Sequence, residues 1–273
     1  MGNPFSFVGA LAGSPATGTR VSFAGMRLSH LQCDSRSPVN FYKDFLMTLG
    51  PGADSTWFVI PLFNEAQVIG EVIAKLRETY PLVVCVDDGS HDDSAQRAED
   101  AGAVVVRHPY NMGQGAALKT GIDYALRDPS MQQIVTFDAD GQHQVSDAAA
   151  MIEKMNAEKV DCVLGSRFLD SRTKPGFLKR IVLRMAIVFT NITSGVHLTD
   201  THNGLRVLSR HACESISIEQ NRMAHASEIV SEIGRNDLTY TEYPVHILYT
   251  DYSKSKGQPL LNAINIVTDL LFK

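Results

Sequence analysis

Apolar residues fall in short continuous runs along this chain, each closed by a polar or glycine-rich turn. Trp57-Phe58-Val59-Ile60-Pro61 is the first run and Leu82-Val83-Val84-Cys85-Val86 the second. Ala103 to Val106, Ile134 to Phe137 and Val160 to Leu164 follow. Runs this short and this apolar predict buried strands. Between them the period changes. From Asn64 or Glu65 to about Thr79, the residues Val68, Ile69, Val72, Ile73 and Leu76 recur on one helical face. Further helices are predicted after Asp92-Asp93, from the Asn111–Gly115 turn to Leu126, and from Val145 to Asn156. Alternation of buried strand and helix predicts an α/β domain, Rossmann-like, with a mostly parallel central sheet covered by helices.

Such sheets bind ligands beyond the carboxyl ends of their strands. The polar signatures stand at those ends: Asn64-Glu65, Asp87-Asp88, Asn111 to Gly115, Asp138 to Gln142, and Arg167. Asp138 and Asp140 alternate with Ala139, so in extended backbone both carboxylates point the same way. Two such groups repel unless a cation lies between them. Their oxygens suit Mg2+ or Mn2+, ions that share their coordination sphere with substrate phosphates. Asp87 and Asp88 can accept hydrogen bonds from a nucleoside base or ribose, or can stabilise the turn that follows. Glu65 can meet a ribose or cap its helix. Gly113 and Gly115 bracket a turn through which backbone can approach a phosphate or sugar.

Further along, Asp200-Thr201-His202-Asn203-Gly204-Leu205-Arg206 ends in an arginine suited to holding a phosphate. His143 and His202 are candidate supporting groups, and His225 and Glu228, one helical turn apart, are expected to face one cleft. The loop Tyr249 to Gln258 carries Lys254 and Lys256 and suits a clamp on phosphates.

Composition narrows the picture. Of 273 residues, 44% are hydrophobic and 20% charged, which fits one globular domain with a sizeable core. A net charge of −5 argues against a nucleic-acid partner. The four cysteines are scattered without a C-x-x-C pair and read as core thiols in a reducing compartment. Residues 1–55 are rich in Gly, Ser, Pro and Thr and read as a flexible extension. No basic residue precedes the apolar run Phe5–Ala12, so no signal peptide is expected. No run is long and apolar enough to span a bilayer. Two amphipathic segments suit a membrane interface: near 172–194 bulky apolar and basic residues mix, and near 259–272 Leu260, Leu261, Ile264, Val267, Leu270 and Leu271 make an apolar stripe.

Taken in order, Val59 to Glu65, Val86 to Ser90, Asn111 to Gly115, Asp138 to His143, Gly165-Ser166-Arg167 and Asn203 to Arg206 resemble glycosyltransferase family 2, with its GT-A type of fold. Within it the chain is most similar to polyprenyl-phosphate sugar transferases of the dolichol-phosphate mannosyltransferase type. The resemblance covers roughly residues 56–273. It implies that Pro61, Glu65, Asp87 and Asp88 contact the nucleoside, and that Asp138, Asp140 and Gln142 surround the metal. It implies that Arg167 and Arg206 hold substrate phosphates or the sugar, that Arg180 meets the lipid phosphate, and that Lys256 belongs to a mobile loop. Mannosyl-type members often carry an arginine near Thr250; here Lys254 stands close by, which leaves the donor sugar open. Asp140-Gly141-Gln142-His143 and Lys256-Gly257-Gln258 resemble bacterial members more than the mannosyl type, which turns the expectation toward a uridine diphosphate sugar.

The expected reaction is inverting transfer of a sugar to polyprenyl phosphate by a peripheral protein on the cytoplasmic face of the membrane, with a small membrane protein as a possible docking partner. An ionised phosphate nucleophile requires no strong base. A hydroxyl acceptor would require one, for which Glu228 is the candidate. Two other readings stay open: a transferase acting on a soluble saccharide or protein, and a non-catalytic nucleotide-sugar-binding protein.

Overall fold

The computed structural model describes residues 50, 52–170, 187–188, 190–192 and 194–248. Arg180, Lys254, Lys256, the 259–272 segment and most of the 1–55 and 172–194 segments lie outside them.

The first half follows the expected alternation. It runs β1 (Thr56–Leu62), α1 (Ile69–Arg77), β2 (Val83–Asp87), α2 (Ser94–Asp100), β3 (Val104–Arg107), α3 (Gln114–Ala125), β4 (Gln133–Thr136), α4 (Val145–Glu158) and β5 (Cys162–Ser166). Then come β6 (Arg206–Ser209), α5 (Arg210–Ser215), α6 (His225–Arg235) and β7 (Tyr240–Pro244). The seven strands form one sheet in the order β3-β2-β1-β4-β6-β5-β7. It is parallel except for β6, which runs antiparallel to both neighbours.

β1 shows why the sheet needs helices on both faces. Phe58, Ile60 and Leu62 enter one core with Ile69, Ile73 and Leu76 of α1, Ala98 of α2, and Met151 and Ile152 of α4. Trp57 and Val59 enter the other with Leu118 and Ile122 of α3, Ala212 of α5, and Ile229, Val230 and Ile233 of α6. Successive side chains of a strand point to opposite faces, so a strand apolar at every position is buried on both. Cys85, Cys162 and Cys213 are free buried thiols, and burial pushes each thiol pKa upward.

Two features position the site. From β1 the chain steps outward to β2 and β3, then returns to lay β4 on the other side of β1. That reversal opens a crevice between the carboxyl ends of β1 and β4, where α/β sheets bind ligands. The second feature is β6. Because it is antiparallel, its first residue, Arg206, pairs with Thr136 at the end of β4.

Candidate active site

A cavity of about 450 Å3 occupies that crevice. Pro61, Leu62, Phe63 and Glu65 line it from the end of β1, and Thr136, Asp138 and Asp140 from the end of β4. Asp88, Asn111, Gly113 and Gln114 close one side. His202, Asn203, Gly204, Arg206, Met223 and His225 close the other. Phe63 and Met223 leave much of their apolar surface exposed.

Asp138 is held from three directions. Its Oδ2 lies 2.9 Å from Nε2 of His143, and its Oδ1 accepts from the Gln114 amide at 3.3 Å. Gly204 lies against the carboxylate: a Cβ there would come within 2.5 Å of Asp138 Oδ2. The Gly204 carbonyl in turn accepts from the Thr136 hydroxyl at 2.5 Å. About a third of the Asp138 side chain, 32%, remains open. Burial opposes its ionisation, but the interaction with His143, with Arg206 behind it, holds its carboxyl below the usual range. Asp140 goes the other way. Burial, then the charge of Asp138, push it up to about 6, against one backbone bond from the Gln142 N–H at 3.0 Å. Gln142, expected at the metal, contributes backbone only: this N–H, and a carbonyl that accepts from Leu248 N–H. Its side chain is not among those lining the cavity.

Oxygen donors, one of them destabilised by the other's charge, fit a divalent cation. Among the described residues no three His, Cys, Asp or Glu side chains converge tightly enough to hold a metal ion by themselves. A cation here would rest on two carboxylates and take its other ligands from phosphate oxygens and water.

Arg206 is buried, and its Nη2 donates to the carbonyls of Thr201 and Ala226, both at 3.2 Å. Its Nε has no partner, and among the described residues no carboxylate reaches it as an ion pair. Burial brings its pKa down to about 10, opposed by Asp200 and Asp138. A buried guanidinium without a counter-ion, opening on a cavity, is built for an anion.

Other expected residues have different partners. Arg167 does not line the cavity. Its guanidinium grips Asp200 through both oxygens, at 2.6 and 2.8 Å, tying the end of β5 to the loop before β6. Asp87 is also absent from the lining, and its carboxylate accepts from the Ser90 N–H. Asp88 lines the cavity but is occupied: it accepts from Met112 N–H at 2.8 Å and Gly113 N–H at 2.7 Å, and pairs with Nδ1 of His108 at 2.8 Å. The glycines of the Asn111–Gly115 turn therefore serve the chain itself. The Gly113 amide goes to Asp88, and the amides of Gly115 and Ala116 go to the Asn221 carbonyl. A Cβ on Gly113 or Gly115 would collide with the backbone of the 220–221 segment. Glu228 turns from the cleft to accept from the amides of Glu219 and Gln220. His225, at the start of the same helix, does face the cavity. Asn64 sits at φ 54°, a left-handed conformation that asparagine tolerates, and its side chain accepts from His91 N–H, lacing the ends of β1 and β2 together.

Sequence reasoning included Gln114, Phe63 and Asn203 in its motifs without giving them a role, and did not single out Met223. The signal for Gln114 was available: it stands between the two glycines of the turn, at the mouth of the sheet.

An α/β sheet with this crevice, lined by two acids and a buried arginine, has the GT-A type of fold. Glucosyl-3-phosphoglycerate synthase of Mycobacterium tuberculosis, solved with Mn2+ and UDP-glucose, superposes with a TM-score of 0.60 over 80% of this chain and 78% of that one, at 18% identity. That likeness concerns the fold. Residues 57–217 match the family described as glycosyl transferase family 2, and the chain belongs to that family; it is a glycosyltransferase. It is 34% identical to an uncharacterized protein of Methanocaldococcus jannaschii over 81% of this chain and 92% of that protein. It is 28% identical to the UDP-N-acetylglucosamine–dolichyl-phosphate N-acetylglucosaminyltransferase of Methanococcus voltae, over 79% of this chain and 94% of that protein.

Proposed function

We propose that the protein transfers a sugar, with inversion, from a uridine diphosphate sugar to a polyprenyl phosphate at the cytoplasmic surface of a membrane. One observation carries this reading: the Asp138–Asp140 pair and the unpaired Arg206 face one cavity at the β1–β4 crevice. Two acids and a buried cation lining one cavity suit a metal-bound diphosphate, which is itself anionic and cation-bearing. Mg2+ or Mn2+, when bound, would neutralise charge developing on the leaving nucleoside diphosphate. The protein's own part is positional. His143 and Gln114 fix Asp138, Asp138 and Asp140 receive the donor's cation, and Arg206 meets phosphate oxygen. Pro61 and Glu65, on the β1 side, stand where the nucleoside would lie.

The Methanococcus relative, matched over nearly its whole length, supports both a uridine donor and a lipid phosphate acceptor. The acceptor reading also suits Glu228, whose engagement with backbone amides removes the base a hydroxyl acceptor would have needed. An ionised lipid phosphate attacks without one. Val188 and Ile192, one helical turn apart and 57% and 77% exposed, put two apolar side chains where an interface could take them. Among the described residues no helix is long and apolar enough to cross a membrane. Arg180, Lys254 and Lys256 remain the proposed contacts for the lipid phosphate and donor.

The test is a panel of labelled nucleotide sugars incubated with polyprenyl phosphate and Mg2+ or Mn2+, followed by organic extraction. Label in the lipid fraction with a uridine donor is expected. Transfer only to soluble saccharide or protein acceptors would overturn the acceptor, and transfer only from a guanosine donor the nucleotide.

A further inference from the structure

The cavity wall that carries Arg206 holds a second buried polar side chain, an imidazole. His225 opens α6, is 5% exposed, and lines the cavity beside Arg206. Its Nδ1 lies 2.7 Å from the Arg222 carbonyl oxygen. A carbonyl only accepts, so Nδ1 carries the proton. Burial lowers the pKa of the ring to about 4, aided by Arg206 and against the Arg222 bond, so the ring is neutral and Nε2 is a bare lone pair. Among the described residues nothing donates to that Nε2. Gly115 packs against the base of this side chain: a Cβ there would approach His225 Cβ to 2.9 Å.

A lone pair in a cavity selects its ligand by chemistry. It repels phosphate oxygens, which carry no proton at neutral pH. Among the described residues it does not converge with two other His, Cys, Asp or Glu side chains. What it accepts is a hydroxyl or amide N–H, and the part of the donor rich in such groups is the sugar. We propose that His225 is a specificity-determining residue that reads the transferred sugar, its Nε2 accepting a hydrogen bond from a ring hydroxyl or an acylamino N–H. Arg206 and His225 thus divide one wall, the first for phosphate and the second for sugar. The assignment rests on the donor reading above.

The test compares UDP with UDP-glucose and UDP-N-acetylglucosamine by titration calorimetry in Mn2+, on the full chain and on His225→Phe and His225→Gln. Phenylalanine keeps the ring and removes the acceptor; glutamine returns an acceptor oxygen. His225→Phe is expected to bind UDP within about twofold of the parent but its preferred UDP-sugar about tenfold more weakly, with His225→Gln recovering most of the loss. Deoxy-sugar donors titrated against the parent chain need no variant to fold. One deoxy position is expected to weaken binding to the parent and have no effect on His225→Phe. Equal losses for UDP and UDP-sugar, or no loss of UDP-sugar binding, would overturn the assignment alone. A parent chain that binds no uridine nucleotide would overturn the donor reading and this assignment together.

Discussion

The ends of β2 and β4 are written almost alike and do opposite things. Each strand runs into two acids and a glycine, Asp87-Asp88-Gly89 and Asp138-Ala139-Asp140-Gly141, and both glycines adopt φ 73°. At β2 the protein satisfies its own acids. Asp88 has two backbone amides and His108, and Asp87 has the Ser90 amide. At β4, Asp140 has a single backbone donor and a charged neighbour, and its pKa rises to about 6. A carboxylate saturated by the chain builds structure, while one left short of donors waits for a ligand. The two arginines repeat the contrast: Arg167 is closed on Asp200, and Arg206 has no carboxylate among the described residues.

Asp140→Asn presses hardest on this contrast. Turnover is expected to fall about a thousandfold, since the substitution removes one of the two carboxylates proposed to receive the cation. Metal-free stability is expected to move the other way. The Asp140 carboxyl holds its proton to about pH 6 in the folded chain and to about 4 when unfolded, so the folded state loses stability as pH rises through that window. Asparagine removes the loss. Melts in EDTA are expected to show variant and parent alike near pH 4 and the variant more stable at pH 7. A variant that melted lower at pH 7 would make Asp140 a structural acid like Asp88.

Arg167→Ala tests the opposite member. It strands the Asp200 carboxylate, only 1% exposed, and is expected to cost about 3 kcal/mol in chemical denaturation. UDP affinity of the folded fraction is expected to hold. Asp88→Asn comes next. One oxygen becomes an NH2 facing backbone N–H groups, which is expected to cost about 2 kcal/mol. If Asp88→Asn instead kept its stability and lost only donor binding, the two strand ends would be functionally equivalent and the contrast would fall.

Much of this was legible before the fold. β1 to β5 were readable because continuous apolar runs between turns have no other comfortable place than a two-sided sheet. Asp138 and Asp140 were readable because alternation in an extended chain sends both side chains one way. β6 was not, because Arg206-Val207-Leu208-Ser209 is four residues long and becomes a strand only by pairing with β4 and β5. β7, half-buried at the sheet's edge, has no apolar run to announce it. The assignments that changed share one cause. Arg167, Gly113 and Glu228 each look ligand-ready in sequence, yet their partners arrive from elsewhere in the chain: Asp200 for the first, Asp88 for the second, and the loop ahead of α6 for the third. A polar residue's local motif shows what it can bond, and tertiary structure decides whether that capacity is already used. His225 kept its expected place because the helix's first turn abuts α3, whereas Glu228 one turn on caps the loop below.

The finest test of the contrast lies in how Asp138 is kept in place. His143 packs edge-on to Phe137, with centroids 5.4 Å apart, and sets its Nε2 2.9 Å from Asp138 Oδ2. Its Nδ1 is buried without a partner, so the ring's one bond is the one to Asp138. The imidazole thus occupies one carboxylate oxygen and leaves the other turned toward Gln114 and the cavity. Groups that orient a metal-binding carboxylate affect metal affinity by about tenfold to a hundredfold. Gln114 shares the task here, so the lower end applies. His143→Phe is expected to weaken Mn2+ binding in the presence of UDP about tenfold, read by calorimetry, with thermal stability little changed. His143→Gln restores an N–H donor and is expected to recover most of that loss. If phenylalanine left Mn2+ affinity intact, Gln114 alone would be orienting Asp138, and the β4 end would owe its openness to the cavity side rather than to support from beneath.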